Sequence, residues 1–275
     1  MRLTRRTEGS VSIAYDIEGS GPLVVFLHGI GGNRSNWEGQ LAHFGMRFCA
    51  VAWDARGYGG SDDPPQTLTF SDYGDDLVRL LDHLNAERAH LVGLSMGGMI
   101  GQDFYGRYPD RVATLALVDT SAGFGSASEN ARRDFLARRL DPLERGLRPA
   151  DIAPGVVDVL VSKKATATVR ERMRASMAAL RVESYKQALH ATVTTDFRTV
   201  LPRVNVPTLV IVGAEDIVTP PSDSDFLAKT IPDASLVTIP GAGHLTNLES
   251  PDAFNAALEA FLCRHARRAS VVAAP

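Results

Sequence analysis

The chain has only two cysteines in 275 residues, no excess of basic charge and no long apolar stretch. Each shortage removes a class of protein. Cys49 and Cys263 have no paired spacing of the kind that frames a disulfide-stapled domain or a zinc site, so both are expected to be reduced. A formal net charge of −3 argues against a nucleic-acid surface, which needs a basic excess gathered on one face. No window reaches the ~18 consecutive apolar residues of a membrane span. The basic start, Arg2 to Arg6, is followed by no apolar segment of the secretory type. No repeat or low-complexity tract interrupts the chain. Its expected setting is the cytoplasm, as a monomer or small homo-oligomer without nucleic-acid or membrane partners.

What is present is an ordinary globular composition, with 44% hydrophobic and 22% charged residues. Two short alternating runs, about Arg2 to Arg6 and Val11 to Ile17, read as an N-terminal hairpin across Glu8-Gly9-Ser10. The pattern then changes. Leu23 to Leu27, Phe48 to Trp53, Ala89 to Val92, Val112 to Val118 and Thr208 to Val212 are continuous apolar runs, the signature of strands buried on both faces. Helical spacing lies between them: Trp37 to Phe44, Tyr73 to Asn85 with Ser71 or Asp72 as cap, Met96 to Tyr108, and Asp223 to Ile231. A strand at Ser235 to Ile239 and a helix at Pro251 to Cys263 complete the series. Strand alternating with helix predicts βαβ crossovers and a doubly wound, mostly parallel sheet.

Residues 122–199 break this alternation. They are rich in Ala, Arg and Met, carry helical spacing and contain no convincing strand. The expected organisation is a core of residues 1–121 and 200–265, a helical lid over 122–199 and a flexible tail over 266–275. Loops and insertions at the C-terminal edge of a parallel sheet are where ligands bind.

The chemistry is carried by Gly93-Leu94-Ser95-Met96-Gly97-Gly98, which joins a predicted strand directly to a predicted helix. A turn this tight forces its central residue into strained backbone and tolerates only small flanking residues, so the Ser95 hydroxyl is pushed out above the sheet edge. A neutral hydroxyl is a poor nucleophile and needs a base within hydrogen-bond reach, a task suited to an imidazole that titrates near neutrality. Two later strands end in candidates for the remaining roles, in the chain order serine, acid, histidine: Glu215-Asp216 after the first and Gly243-His244 after the second. His244 is therefore expected to be the base and Asp216 the carboxylate that fixes its tautomer. Glu215 and Asp119, which ends an earlier strand, are rival acids. The glycine-rich turn His28-Gly29-Ile30-Gly31-Gly32 allows close backbone approach, and the N–H groups of Ile30 and Met96 are the expected oxyanion donors. His28 is expected to brace that turn.

Gly29, Trp37 and Phe124 are candidate pocket residues, and Phe135, Leu136, Met173 and Met177 are candidate lid contacts; aromatic and methionine side chains fill cores equally well. Arg132, Arg133, Arg138 and Arg139 read as a solvated face, from which one, or Arg34, could hold a substrate carboxylate. Asp54 and Arg56 read as a structural turn held by their mutual pairing. His43, His83, His90, His190 and His265 have no metal-ligand spacing, and neither a metal nor a cofactor is expected.

Together, His28 to Gly32, Asp54 to Ser61, Gly93 to Gly98, Gly213 to Asp216 and Gly243-His244 resemble the α/β-hydrolase superfamily over nearly the whole chain outside the insertion. Gly93 to Gln102 and Asp54 to Asp62 are most similar to 3-oxoadipate enol-lactonases and related small carboxylesterases. The resemblance implies an eight-stranded sheet with the lid inserted after the sixth strand, and hydrolysis of a small ester or lactone through an acyl-enzyme. Carbon–carbon bond hydrolases of the superfamily usually carry tryptophan after the histidine, where this chain has Leu245; perhydrolysis is compatible with the same framework. Haloalkane dehalogenases and epoxide hydrolases use an aspartate where Ser95 stands. Outside enzymes of this kind, Gly29 to Arg34 followed by Asp54 imitates a dinucleotide fingerprint, with Arg34 in place of its third glycine. A ligand receptor that retains the hydrolase shell is the remaining reading.

Overall fold

A computed structural model describes residues 2–65 and 67–273. One sheet organises them. Strands β1 (Leu3–Arg6), β2 (Ala14–Glu18), β3 (Gly21–Leu27), β4 (Cys49–Trp53), β5 (Ala89–Leu94), β6 (Val112–Val118), β7 (Thr208–Gly213) and β8 (Ala234–Ile239) lie in the order β1-β2-β4-β3-β5-β6-β7-β8. The hairpin β1–β2 is antiparallel, β2 pairs antiparallel with β4, and β4 to β8 with β3 among them run parallel.

The apolar runs form strands because both of their faces are covered. Alternate residues of each strand enter different cores. Val25, Leu27, Val51, Trp53, Leu91, Leu115, Leu117 and Val210 pack on one side, against Tyr73, Leu77, Leu80 and Leu81 of α2 (Ser71–His83) and Met99, Ile100 and Phe104 of α3 (Met96–Arg107). Val24, Phe26, Ala50, Ala52, Val92, Ala116, Val118, Leu209 and Ile211 pack on the other. There they meet Leu41 and Phe44, from the helix Glu38–Phe44 that serves as α1, and Phe254, Leu258, Phe261 and Leu262 from the C-terminal helix Pro251–His265.

From β3 the chain goes first to β4 on one side and later to β5 on the other. The carboxyl ends of β3 and β5 therefore flank the switch in winding direction, where open α/β sheets leave a crevice for ligands. Leu27 stands opposite Gly93, Leu94 opposite Val118, Val118 opposite Ile211 and Gly213 opposite Ile239. That register brings the loops that follow these four pairs to one edge.

Between β6 and β7 lie four helices, α4 (Glu129–Glu144), α5 (Pro149–Leu160), α6 (Ala167–Ala178) and α7 (Val182–Thr192). The segment leaves and rejoins the sheet at one place: Phe124 N–H donates to Thr195 O over 2.8 Å and Phe197 N–H to Ala122 O over 2.9 Å. Leu140 and Leu143 of α4 share a small core of their own with Tyr185 and Leu189 of α7. The last helices are α8 (Pro221–Thr230), the short α9 (Thr246–Glu249) and α10, the C-terminal helix already described. No helix among the described residues is long and apolar enough to cross a membrane.

Two expectations are corrected. The tail is not loose over its described part. Val271–Val272 form a ninth strand antiparallel to Gly21 and Pro22, and Ser270 ties two strand beginnings together, accepting from Leu23 N–H and donating to Arg88 O, both at 2.9 Å. A two-residue strand leaves no periodicity to read. Residues 274 and 275 lie outside the described residues.

Asp54 and Arg56 do not pair with each other. Asp54 accepts from the backbone N–H groups of Arg34 and Gly60, each at 2.7 Å, and pairs with the Arg34 guanidinium. Arg56 instead forms a two-bond fork with Asp76 of α2, at 2.6 and 2.7 Å. Each finds a partner that closes a longer loop, so the turn is held at two points. Asp76 is fully buried and Arg56 nearly so, and removing one member of a buried pair strands the other charge. Asp76→Asn is expected to lower unfolding free energy by about 3–5 kcal/mol. A fall in urea midpoint at unchanged slope would register it, and an unchanged midpoint would contradict the assignment.

Candidate active site

Ser95 stands between the end of β5 and the start of α3 with φ 54° and ψ −117°, a left-handed backbone that a side-chain-bearing residue adopts only under constraint. The constraint is packing. A Cβ on Gly93 would lie 2.2 Å from Gly97 O, and one on Gly97 would lie 2.1 Å from Leu27 O. Neither contact can relax, because backbone faces backbone. Thr120 donates its hydroxyl to Ser95 O over 2.7 Å, fixing the turn from the next strand end.

His244 is buried at the end of the loop after β8. Its Nδ1–H donates to Asp216 Oδ2 over 2.8 Å, and the Thr219 hydroxyl donates to the same oxygen over 2.9 Å. The other carboxylate oxygen accepts from the N–H groups of Val218 and Thr219 at 2.8 and 3.1 Å. Burial alone would push the His244 pKa down, but the hydrogen bond and charge of Asp216, helped by Asp119, leave it raised above 6.5. Burial likewise works against ionised Asp216, yet its bond to His244 and the two backbone donors hold its pKa below the usual carboxylate value. With Nδ1 so committed, Nε2 is the nitrogen left for exchange with a substrate or hydroxyl.

The rival acids are placed elsewhere. Glu215 is exposed. Asp119 is fully buried, but accepts from Gly213 N–H at 3.0 Å and from the N–H and hydroxyl of Thr246 at 3.0 and 2.7 Å, not from the imidazole. Burial pushes its pKa up to about 7. It joins the β7 end to the segment just past His244.

The turn after β3 runs beside the serine: a Cβ on Gly29 would come within 3.0 Å of Ser95 Cβ. His28 is a brace, with Nδ1–H donating to Gly29 O at 2.9 Å and Nε2 accepting from Ala55 N–H at 3.0 Å. Those two bonds require the neutral ring, and burial lowers its pKa accordingly. Among the described residues, no hydrogen bond uses the N–H of Ile30 or of Met96.

Ser95 and His244 line the same space, although no hydrogen bond joins their side chains. A narrow pocket is walled by Gly29, Trp37, Leu160 and Met173. A wider cavity of about 890 Å³ adjoins it, with Met96, Phe124, Phe135, Arg139, Met177 and Tyr185 in its wall. Trp37 also packs on Phe26 and Phe254, with ring centroids 5.1 and 6.0 Å apart, so lining and core filling are one role here. Leu136 joins the small core of α4 and α7. Arg34 is engaged by Asp16 and Asp54. Asp54, the acid of the apparent dinucleotide fingerprint, is buried in that pairing. Thr219 was not legible as a contributor, because threonine three residues beyond an acidic turn is commonplace.

The chain matches the family model described as the alpha/beta hydrolase fold over residues 22–251. It is 32% identical over 245 residues to 3-oxoadipate enol-lactonase 2 of Acinetobacter baylyi, covering 88% of this chain and 89% of that protein. Among solved structures, a thermophilic esterase from Thermogutta terrifontis with malate bound superposes with TM-score 0.87 at 30% identity, covering 96% of this chain and 99% of the other. The enol-lactonase from Burkholderia xenovorans LB400 gives TM-score 0.83 at 28% identity, over 95% and 100% of the two chains. The family model spans most of the chain and a relative at 32% identity covers 88% of it, and the chain belongs to the α/β-hydrolase family.

Proposed function

We propose that the protein is a serine hydrolase of small carboxylic esters or lactones, with Ser95 as nucleophile, His244 as general base and Asp216 as the acid that orients it. The observation that carries this reading is the 2.8 Å bond from His244 Nδ1 to Asp216 in the wall of a cavity that also holds the strained Ser95. Similarity to enol-lactonases and esterases points to the same substrate class.

In this reading His244 Nε2 removes the proton as Ser95 Oγ attacks the carbonyl carbon, and the imidazolium that forms is stabilised by Asp216. The carbonyl oxygen, now an oxyanion, accepts from the unused N–H groups of Ile30 and Met96, the second at the start of α3 where the helix dipole also favours negative charge. Each such donor contributes on the order of 3 kcal/mol in the transition state. Nε2–H then protonates the leaving oxygen. Water, deprotonated by the same nitrogen, attacks the acyl carbon; the bond from Ser95 Oγ to that carbon breaks as Nε2–H returns the proton to Oγ, releasing the carboxylic acid. A lactone follows the same course with its leaving oxygen still tethered to the acyl group. The helices of residues 122–199 act as the lid that shapes the acid and alcohol sites.

A fluorophosphonate probe is expected to label the wild type and not Ser95→Ala, and Ser95→Ala is expected to lose p-nitrophenyl ester turnover by on the order of 10⁶-fold. Undiminished turnover in Ser95→Ala would refute the assignment. Because catalysis needs neutral His244, whose pKa is raised, kcat/KM is expected to fall as pH drops through a midpoint above 6.5. Asp216→Asn removes the two largest influences raising that pKa. Its profile should shift to lower pH, with the rate reduced by about 10⁴-fold; an unmoved profile would point to another acid.

A further inference from the structure

Two cations in the wall of the wide cavity, Arg138 and Arg139, have no ion pair among the described residues, and of the two only Arg139 is partly buried. Arg139, on α4, is partly buried and lies over the Phe135 ring, 3.8 Å from its centroid. Among the described residues its one hydrogen bond runs from Nη1–H to Phe135 O, 3.0 Å away. A guanidinium offers five donors in a planar fork, so four remain unused. Several other covered arginines find carboxylates: Arg34 has Asp16 and Asp54, Arg56 has Asp76, and Arg170 has Asp158. No ion pair involves Arg139 among the described residues.

The surroundings make this costly. Burial depresses the Arg139 pKa, and the charge of Arg138 depresses it further, opposed by Tyr185. Asp134 and Asp223 also line the cavity, and neither pairs with Arg139. A half-desolvated cation without an anion is a poor structural element, since an apolar side chain would fill the same space at lower cost. In the rest of the charge run, Arg132 donates to Phe124 O, Arg133 is exposed, and Arg138 is exposed at the same cavity, where water can solvate it.

Arg139 also acts across the cavity on the reaction centre. Its charge works against protonation of His244, although Asp216 and Asp119 outweigh it. On the rim, Ile217, Phe226 and Val159 are exposed and apolar. The cavity is thus polarised, cationic beside α4 and apolar at its mouth.

We propose that Arg139 is an anion subsite, holding a carboxylate carried by the substrate while the ester or lactone carbonyl sits at Ser95. The inference rests on Ser95 being the nucleophile and narrows the substrate to a small anionic ester or lactone. Arg139 does no chemistry; it selects and orients by a forked pair that Lys can only partly reproduce.

The test is a ratio. Mono-p-nitrophenyl succinate, glutarate and adipate would be compared with the uncharged p-nitrophenyl butanoate, pentanoate and hexanoate, in wild type, Arg139→Gln and Arg139→Lys. The wild type is expected to favour at least one charged ester over its neutral partner, Arg139→Gln to lower that kcat/KM ratio about tenfold or more, chiefly through KM, and Arg139→Lys to restore part of it. Because each enzyme is its own reference, loss of folded protein cancels. A ratio that stays constant in Arg139→Gln, or the absence of any preference for charge in the wild type, overturns the subsite and leaves the Ser95 assignment standing. A wild type that cleaves none of the six esters overturns both.

Discussion

The bond between His244 and Asp216 is made where both partners are buried, and burial opposes charge on either one. A carboxylate in such a place has to be solvated by the protein itself. Four donors do so here: the imidazole, the Thr219 hydroxyl, and the backbone N–H groups of Val218 and Thr219. The loop after β7 is therefore shaped around one side chain, which accounts for Asp216 rather than its exposed neighbour Glu215 taking the site. Asp119 supplies a second layer by tying Gly213 to Thr246, so the loops carrying acid and histidine are fastened to each other as well as to their strands.

Strand ends were the most legible part of the sequence. β6 runs over Val112–Val118 as its apolar run predicts, and β5 and β7 extend only one or two residues beyond theirs, because a strand covered on both faces has to be apolar throughout. The serine turn was legible for a different reason: Gly93 and Gly97 stand where backbone meets backbone, and no other residue fits. Partnerships between distant polar groups were not legible. Nothing local distinguishes Arg56 paired with Asp54 from Arg56 paired with Asp76, and nothing in the charge run of α4 tells Arg139, partly buried over Phe135, from its exposed neighbour Arg138. Helix caps were read within a few residues: α2 begins at Ser71 with Phe70 before it, while Asp72 reaches back to Thr69 N–H.

The two sides of the sheet edge divide the work. The loops after β3 and β5 leave the N–H groups of Ile30 and Met96 without a bond among the described residues and are held by close glycine contacts, which side-chain substitution alters little. The segment between β6 and β7 supplies aromatic, methionine and arginine side chains, which substitution alters freely. Such a division leaves the framework intact while the pocket wall changes, which is how one fold can serve different sites.

The main chain of His244 is itself bound to the helical segment: its N–H donates to Leu160 O, at the end of α5, over 2.7 Å. Glu249 reinforces the seam, one oxygen accepting from Gly243 N–H and the other from Ser162 N–H. The helical segment is thus fastened unevenly. Displacing α5 would pull on His244, whereas among the described residues no hydrogen bond ties α4 or its neighbouring Phe124–Phe135 pair to the histidine. The α4 side of the cavity is therefore the side whose displacement leaves the His244–Asp216 bond undisturbed.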